Sequence, residues 1–143
     1  RGEYDLGLII HEGQITWANE GLQLILDLGE WWNELTGLPL PLGGNVVKRS
    51  LGEETCLRVA EDIKHSIHHS LSNPESALEF AKQWGRGIDD DTNREFVSMY
   101  VNQRTLDYGE DGREAVRRFL REGQKIGVID TSFDVDGIEF VGR

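Results

Sequence analysis

LGLIIHEGQITWANEGL, Leu6 to Leu22, is the stretch on which the reading of this chain turns. Tyr4 to Ile10 is apolar after Asp5 except for Gly7, too short for a helix and bounded by charge, so it reads as a strand buried on both faces of a parallel sheet. The run stops at His11-Glu12-Gly13-Gln14. In open α/β sheets ligands lie outside the carboxyl ends of the strands, which puts these polar groups where a pocket is expected. Histidine is the side chain whose ordinary pKa lets it take a proton near neutral pH. A helix opening over Glu12 to Asn19 would, through its N-terminal dipole, favour the neutral ring that a base needs. The alternative is a strand-end histidine hydrogen-bonded to backbone. A zincin reading fails, because HExxH would need its second histidine where Ile15 stands.

Outward from that stretch, Leu22 to Leu28 (LQLILDL) is a second short apolar run. Gly29 to Gly37 follows as a short helix stopped by glycine. Pro39 and Pro41 forbid helix in LPLPLGGNVVKRS, and Asn45-Val46-Val47 is expected to pair as an edge or crossover strand. Beyond Ser50 the pattern becomes helical. Ser50 with Glu53 forms a capping box, and Leu57, Ala60, Ile63, Ile67 and Leu71 recur on one face of a long helix. Asn73-Pro74 restarts a second helix, with Ala77, Leu78, Ala81 and Trp84 as its stripe and Gly85 and Gly87 at its end. Asp89-Asp90-Asp91 opens a third, carrying Phe96, Val97, Tyr100 and Val101. A fourth spans about Glu110 to Gln124 and buries Ala115, Val116, Phe119 and Leu120. The tail FDVDGIEFVGR is either a small strand or loose.

This order predicts an α/β protein: a strand-rich part over 1–50 including the crossover, then a helical C-terminal part over 51–143. Few strands stand under that helical cover, and their partners are expected upstream of Arg1. The opening at Arg1-Gly2-Glu3, with Met99 the sole methionine, leads to the expectation of a processed chain or a fragment.

A chain of 143 residues holds one domain with a real core. With 26 acidic against 15 basic residues the net charge is -11, so the long-range field repels phosphate backbones and anionic lipid heads. Neither nucleic acid nor membrane is an expected partner, and no apolar run approaches the roughly eighteen residues that a membrane span needs. Cys56 is the only cysteine, which excludes an internal disulfide and a cysteine-based metal site and favours a reducing compartment. No signal-peptide pattern is visible at the start.

Other candidates read more plainly. His65 and His69 share a helix face at the spacing of a metal pair, with His68 beside them, but no carboxylate or third ligand is placed by the pattern. No metal site is therefore predicted. DDDTN at Asp89 to Asn93 lacks the sixth-position glycine and twelfth-position glutamate of a calcium loop, so capping is its expected role. PLGGN is not followed by the Lys-Ser/Thr of a phosphate loop. Trp17, Trp31, Trp32 and Trp84 read as core or interface anchors, Trp17 also as a pocket wall, and Cys56 as buried and inert.

HEGQITWANEGL (from His11), LDLGEWWNELTGLPLPLGGNVVKRSLG (from Leu26) and YVNQRTLDYGEDGREAVRRFLREG (from Tyr100) together resemble the 1,4-dihydroxy-6-naphthoate synthases of the futalosine route to menaquinone, relatives of chorismate dehydratase. The resemblance runs from Arg1 to about Ile129, with Gln103-Arg104 standing where Asp-Tyr would be expected. It implies a periplasmic-binding-protein type II-like fold of two α/β lobes around a cleft, with this chain as one piece of a two-lobe enzyme. It also implies a cytoplasmic lyase that converts cyclic dehypoxanthine futalosine to 1,4-dihydroxy-6-naphthoate without metal or organic cofactor. The histidine of HEGQ is the family's proton acceptor and falls on His11. Gln14 and Asn45 are candidate substrate contacts, with Glu12 as another group to orient the ring and Asn19 as another polar contact. The family's remaining contacts are expected in an N-terminal region outside these residues. The expected partner is a small-molecule substrate, and a homodimer stays open. The competing reading is a solute-binding-protein-like module that closes on a small anionic ligand without chemistry.

Overall fold

The computed structural model describes residues 4–11, 13–83 and 89–142. Among these, seven α-helices follow in order: α1 (Gly13–Thr16), α2 (Leu28–Thr36), α3 (Glu53–Ser72), α4 (Pro74–Lys82), α5 (Asp90–Tyr100), α6 (Gln103–Leu106) and α7 (Gly109–Lys125). A 3₁₀ turn at Arg49–Leu51 precedes α3. The predicted Glu12, Trp84, Gly85 and Gly87 lie outside the described residues.

No strand occurs among the described residues, so the expected α/β sheet of the periplasmic-binding-protein type, with its few strands ahead of the helices, is corrected to helices joined by extended segments. Leu6 to Ile10 is extended yet open to solvent, Leu6 at 73% and Leu8 at 74% exposure. Leu22, Leu24, Ile25 and Leu26 are exposed in the same way, as is Val46 in the supposed crossover. The reason is that an apolar run favours extended backbone locally, whereas a strand exists only when a neighbouring backbone supplies its ladder of hydrogen bonds. No described segment does so for these three.

The chain divides into two units, residues 1–25 with 70–102 and residues 26–69 with 103–143. In the first, α4 packs on α5. Pro74 opens α4 with its fixed φ, and Asp89 caps α5 by accepting the N–H groups of Asp91 and Thr92 at 3.1 and 3.0 Å. Leu78 and Asn93 are the buried residues of the two helices. Arg94 clasps Glu75 through both guanidinium nitrogens at 2.7 and 3.2 Å, and Lys82 reaches Asp90 at 2.8 Å. These exposed pairs align the helices and contribute little energy each.

In the second unit, α2 begins at Asp27, whose carboxylate accepts from Gly29 and Glu30 at 2.8 and 2.9 Å, and it ends at Gly37 in the left-handed conformation with φ 69°. Trp32 on α2 meets Phe119 on α7 edge-on, ring centres 5.6 Å apart, and Ala115 beside them is 1% exposed. Ser50 does not cap α3. It sits in the 3₁₀ turn, and Gly52 with φ 85° leads into Glu53. Cys56 is buried on α3, as expected.

The tail is neither strand nor loose. It leaves α7 where Ile129 lies against Gly123, so that a Cβ there would meet Ile129 Cδ1 at 2.8 Å. Gln124 then donates to the Asp130 and Phe133 carbonyls at 3.0 and 2.9 Å, Arg121 pairs with Asp136, and Val135 is buried. Phe140 stands edge-on to Tyr108 with Arg113 and Arg117 over its ring at 5.8 and 5.1 Å. Lys64 of α3 donates to the Gly142 carbonyl at 2.7 Å.

Candidate active site

The site is built on the turn between the extended Leu6 to Ile10 and α1. His11 is exposed and holds φ 63°, the only described non-glycine residue with positive φ. That left-handed backbone costs an L-residue about 1 kcal/mol and persists where its surroundings enforce it. Two contacts do so here. The Gln14 N–H donates to the His11 carbonyl at 3.0 Å, closing the turn. Gly13 also allows Ile9 to fold over the start of α1, since a Cβ at residue 13 would stand 2.7 Å from Ile9 Cγ2. Glycine is therefore needed at position 13 for close approach, while its own φ is ordinary.

The helix after His11 spans only Gly13–Thr16, a single turn, with further turns carrying the chain to Gly21. The helix-dipole argument for a neutral ring does not apply to so short an element. A lone turn is unstable by itself, and this one is moored at long range: the Gln14 Nε2 donates to Tyr100 Oη at 2.6 Å. Tyr100 closes α5, its ring 4.9 Å from that of Phe96 and inclined at 51°. The helical pattern places it with Phe96, Val97 and Val101, and its hydroxyl accepts from the Gln14 amide.

The structure thus brings His11, Gln14 and Tyr100 together in the first unit. Asn45 is exposed in the extended segment before α3, within the second unit. Trp17 is half-buried just after α1, and Asn19 is exposed in the turns that follow. His65 and His68 border an open groove of about 710 Å³ on α3, with Lys64, Arg58 and Glu61 beside them. Among the described residues, no group of three or more histidine, cysteine or carboxylate side chains converges as metal ligands would.

The electrostatics of the first unit lie in its helix clasps. The Arg94 hydrogen bond holds the Glu75 carboxyl below its usual range, and the Thr92 N–H does the same for Asp89. The Arg94–Glu75 pair and the Asp89 cap hold α5, which ends at Tyr100.

Residues 1–125 match the model of a family described as menaquinone biosynthesis. The chain belongs to that family. Over 128 residues it is 40% identical to a 1,4-dihydroxy-6-naphthoate synthase of Thermus thermophilus, covering 90% of this chain and 47% of the relative. To a protein of the same name from Streptomyces coelicolor it is 35% identical over 128 residues, covering 90% and 45%. The chain therefore spans less than half the length of these family members. A crystal structure of a protein from Archaeoglobus fulgidus superposes with a TM-score of 0.80 at 38% identity, over 85% of this chain and 46% of the other. No helix among the described residues is long and apolar enough to cross a membrane.

Proposed function

We propose that this chain carries the proton acceptor, His11, of a 1,4-dihydroxy-6-naphthoate synthase acting in the cytoplasm. The reading rests on one conjunction: an imidazole presented on a strained, exposed turn, in a chain 40% and 35% identical to two proteins of that name. In this reaction His11 removes a proton from carbon beside a carbonyl of cyclic dehypoxanthine futalosine. The electron pair passes through the enolate and expels the ribose-derived group as the ring opens and becomes aromatic. The futalosine substrate, the lyase class and the absence of a cofactor follow from the resemblance of the HEGQ and LPLPLGG blocks. Gln14 and Asn45 are proposed substrate contacts.

His11→Asn is the variant of choice, because asparagine accepts the left-handed backbone and cannot take the proton. In the polypeptide as the cell makes it, turnover to the naphthoate, followed by mass spectrometry, is expected to fall by roughly 10²- to 10⁴-fold with the circular dichroism spectrum unchanged. Turnover within a few-fold of the parent would remove His11 from the role.

A further inference from the structure

We propose that Tyr100 is a positioning residue for this reaction, holding the Gln14 side-chain amide so that the His11 turn keeps its shape. The inference rests on the reading of His11 as proton acceptor. Gln14 holds that turn twice. Its backbone N–H donates to the His11 carbonyl at 3.0 Å, and its side chain donates to Tyr100 Oη at 2.6 Å, a residue 86 positions away.

The first bond alone is weak, since a single helical turn does not sustain itself in water. The strain in the His11 backbone works against it, because a histidine freed from the turn would relax to negative φ. The second bond ties the turn to something that does not move with it. Tyr100 ends α5, a helix of 11 residues capped by Asp89, clasped to α4 by Arg94–Glu75 and Lys82–Asp90 and steadied by the Phe96 ring. An amide anchored through its nitrogen also has the direction of its carbonyl oxygen fixed, so the same bond sets where Gln14 can offer an acceptor. A base displaced by about 1 Å loses on the order of a hundredfold in rate, so a mooring on the neighbouring turn belongs to the machinery of the reaction.

Tyr100→Phe removes the acceptor and keeps the ring on Phe96. In the full protein the expected result is a fall in kcat of about tenfold with KM nearly unchanged, as when an interaction that aligns the reacting groups is lost. Gln14→Ala should lose at least as much, since it also removes a proposed substrate contact, and the double variant no more than Gln14→Ala alone, since Tyr100 acts through that amide. Side-chain amide exchange of Gln14 by NMR should quicken in Tyr100→Phe while the amides of α4 and α5 remain protected. Unchanged kcat in Tyr100→Phe beside an inactive His11→Asn would overturn this inference and leave the base intact. Full activity in His11→Asn would instead remove the reading beneath it. Additive losses in the double variant would likewise overturn the coupling of Tyr100 to Gln14.

Discussion

At the scale of the residue, the site depends on one left-handed backbone, that of His11, and one close approach, that of Ile9 to Gly13. Gly13 has room for hydrogen alone, Ile9 lying where a Cβ would come within 2.7 Å. Gly13→Ala is expected to lower stability by about 1–3 kcal/mol, the usual effect of forcing a methyl into occupied space, measured by urea unfolding. Ile9→Ala in the same chain should return part of that loss, because it empties the place the methyl needs. His11 and Gln14 were legible in the sequence because they are neighbours, and a polar cluster ending an apolar run announces itself. Tyr100 was not, because a hydrogen bond spanning 86 residues leaves no local pattern. Its spacing from Phe96 is also that of any amphipathic helix.

Among the elements, the helices were readable and the extended segments were not. Apolar spacing, Asp89, Pro74 and Gly37 act within a turn of chain, so α2, α4, α5 and α7 fall close to their expected places. Leu6 to Ile10 and Leu22 to Leu28 carry the composition of strands, but strand pairing is a property of two segments, and one apolar run cannot say whether the other is present. The Ser50 capping box failed for a different reason: Gly52 takes φ 85° and the chain turns as a 3₁₀ helix first. The tail was undecidable because its anchors are single side chains without periodicity: Ile129 and Phe140 seated on α7, and the buried Val135. At Gly123 an added Cβ would meet Ile129 Cδ1 at 2.8 Å and Cγ1 at 3.1 Å. Gly123→Ala is expected to loosen the tail while sparing α7, so limited proteolysis should cut beyond Lys125 faster than in the parent, with helical circular dichroism little changed.

For the whole molecule, acid sensitivity follows from its paired carboxylates. Arg94 holds the Glu75 carboxyl down, Arg104 that of Asp111, and Lys125 that of Glu122, while the Gly109 N–H does so for Asp107. Each titrates lower when folded than when unfolded. It therefore contributes stability above its unfolded pKa of about 4 and loses that contribution as pH falls through the lower folded value. Thermal unfolding should be nearly flat from pH 7 to 5 and shift to lower temperature below about pH 4. Glu75, Asp107 and Asp111 are exposed and Glu122 is half-buried, so the effect should shrink in salt.

The bare apolar runs Leu6 to Ile10 and Leu22 to Leu26 have a practical consequence in the test tube. Exposed apolar side chains are what one copy needs to adhere to another, and a charge of -11 keeps copies apart while that charge is felt. The screening distance is about 10 Å in 0.1 M salt and about 3 Å in 1 M. Concentrated samples should accordingly stay clear in dilute buffer and scatter light as ionic strength climbs, so dilute buffer is the medium in which to store and titrate this polypeptide.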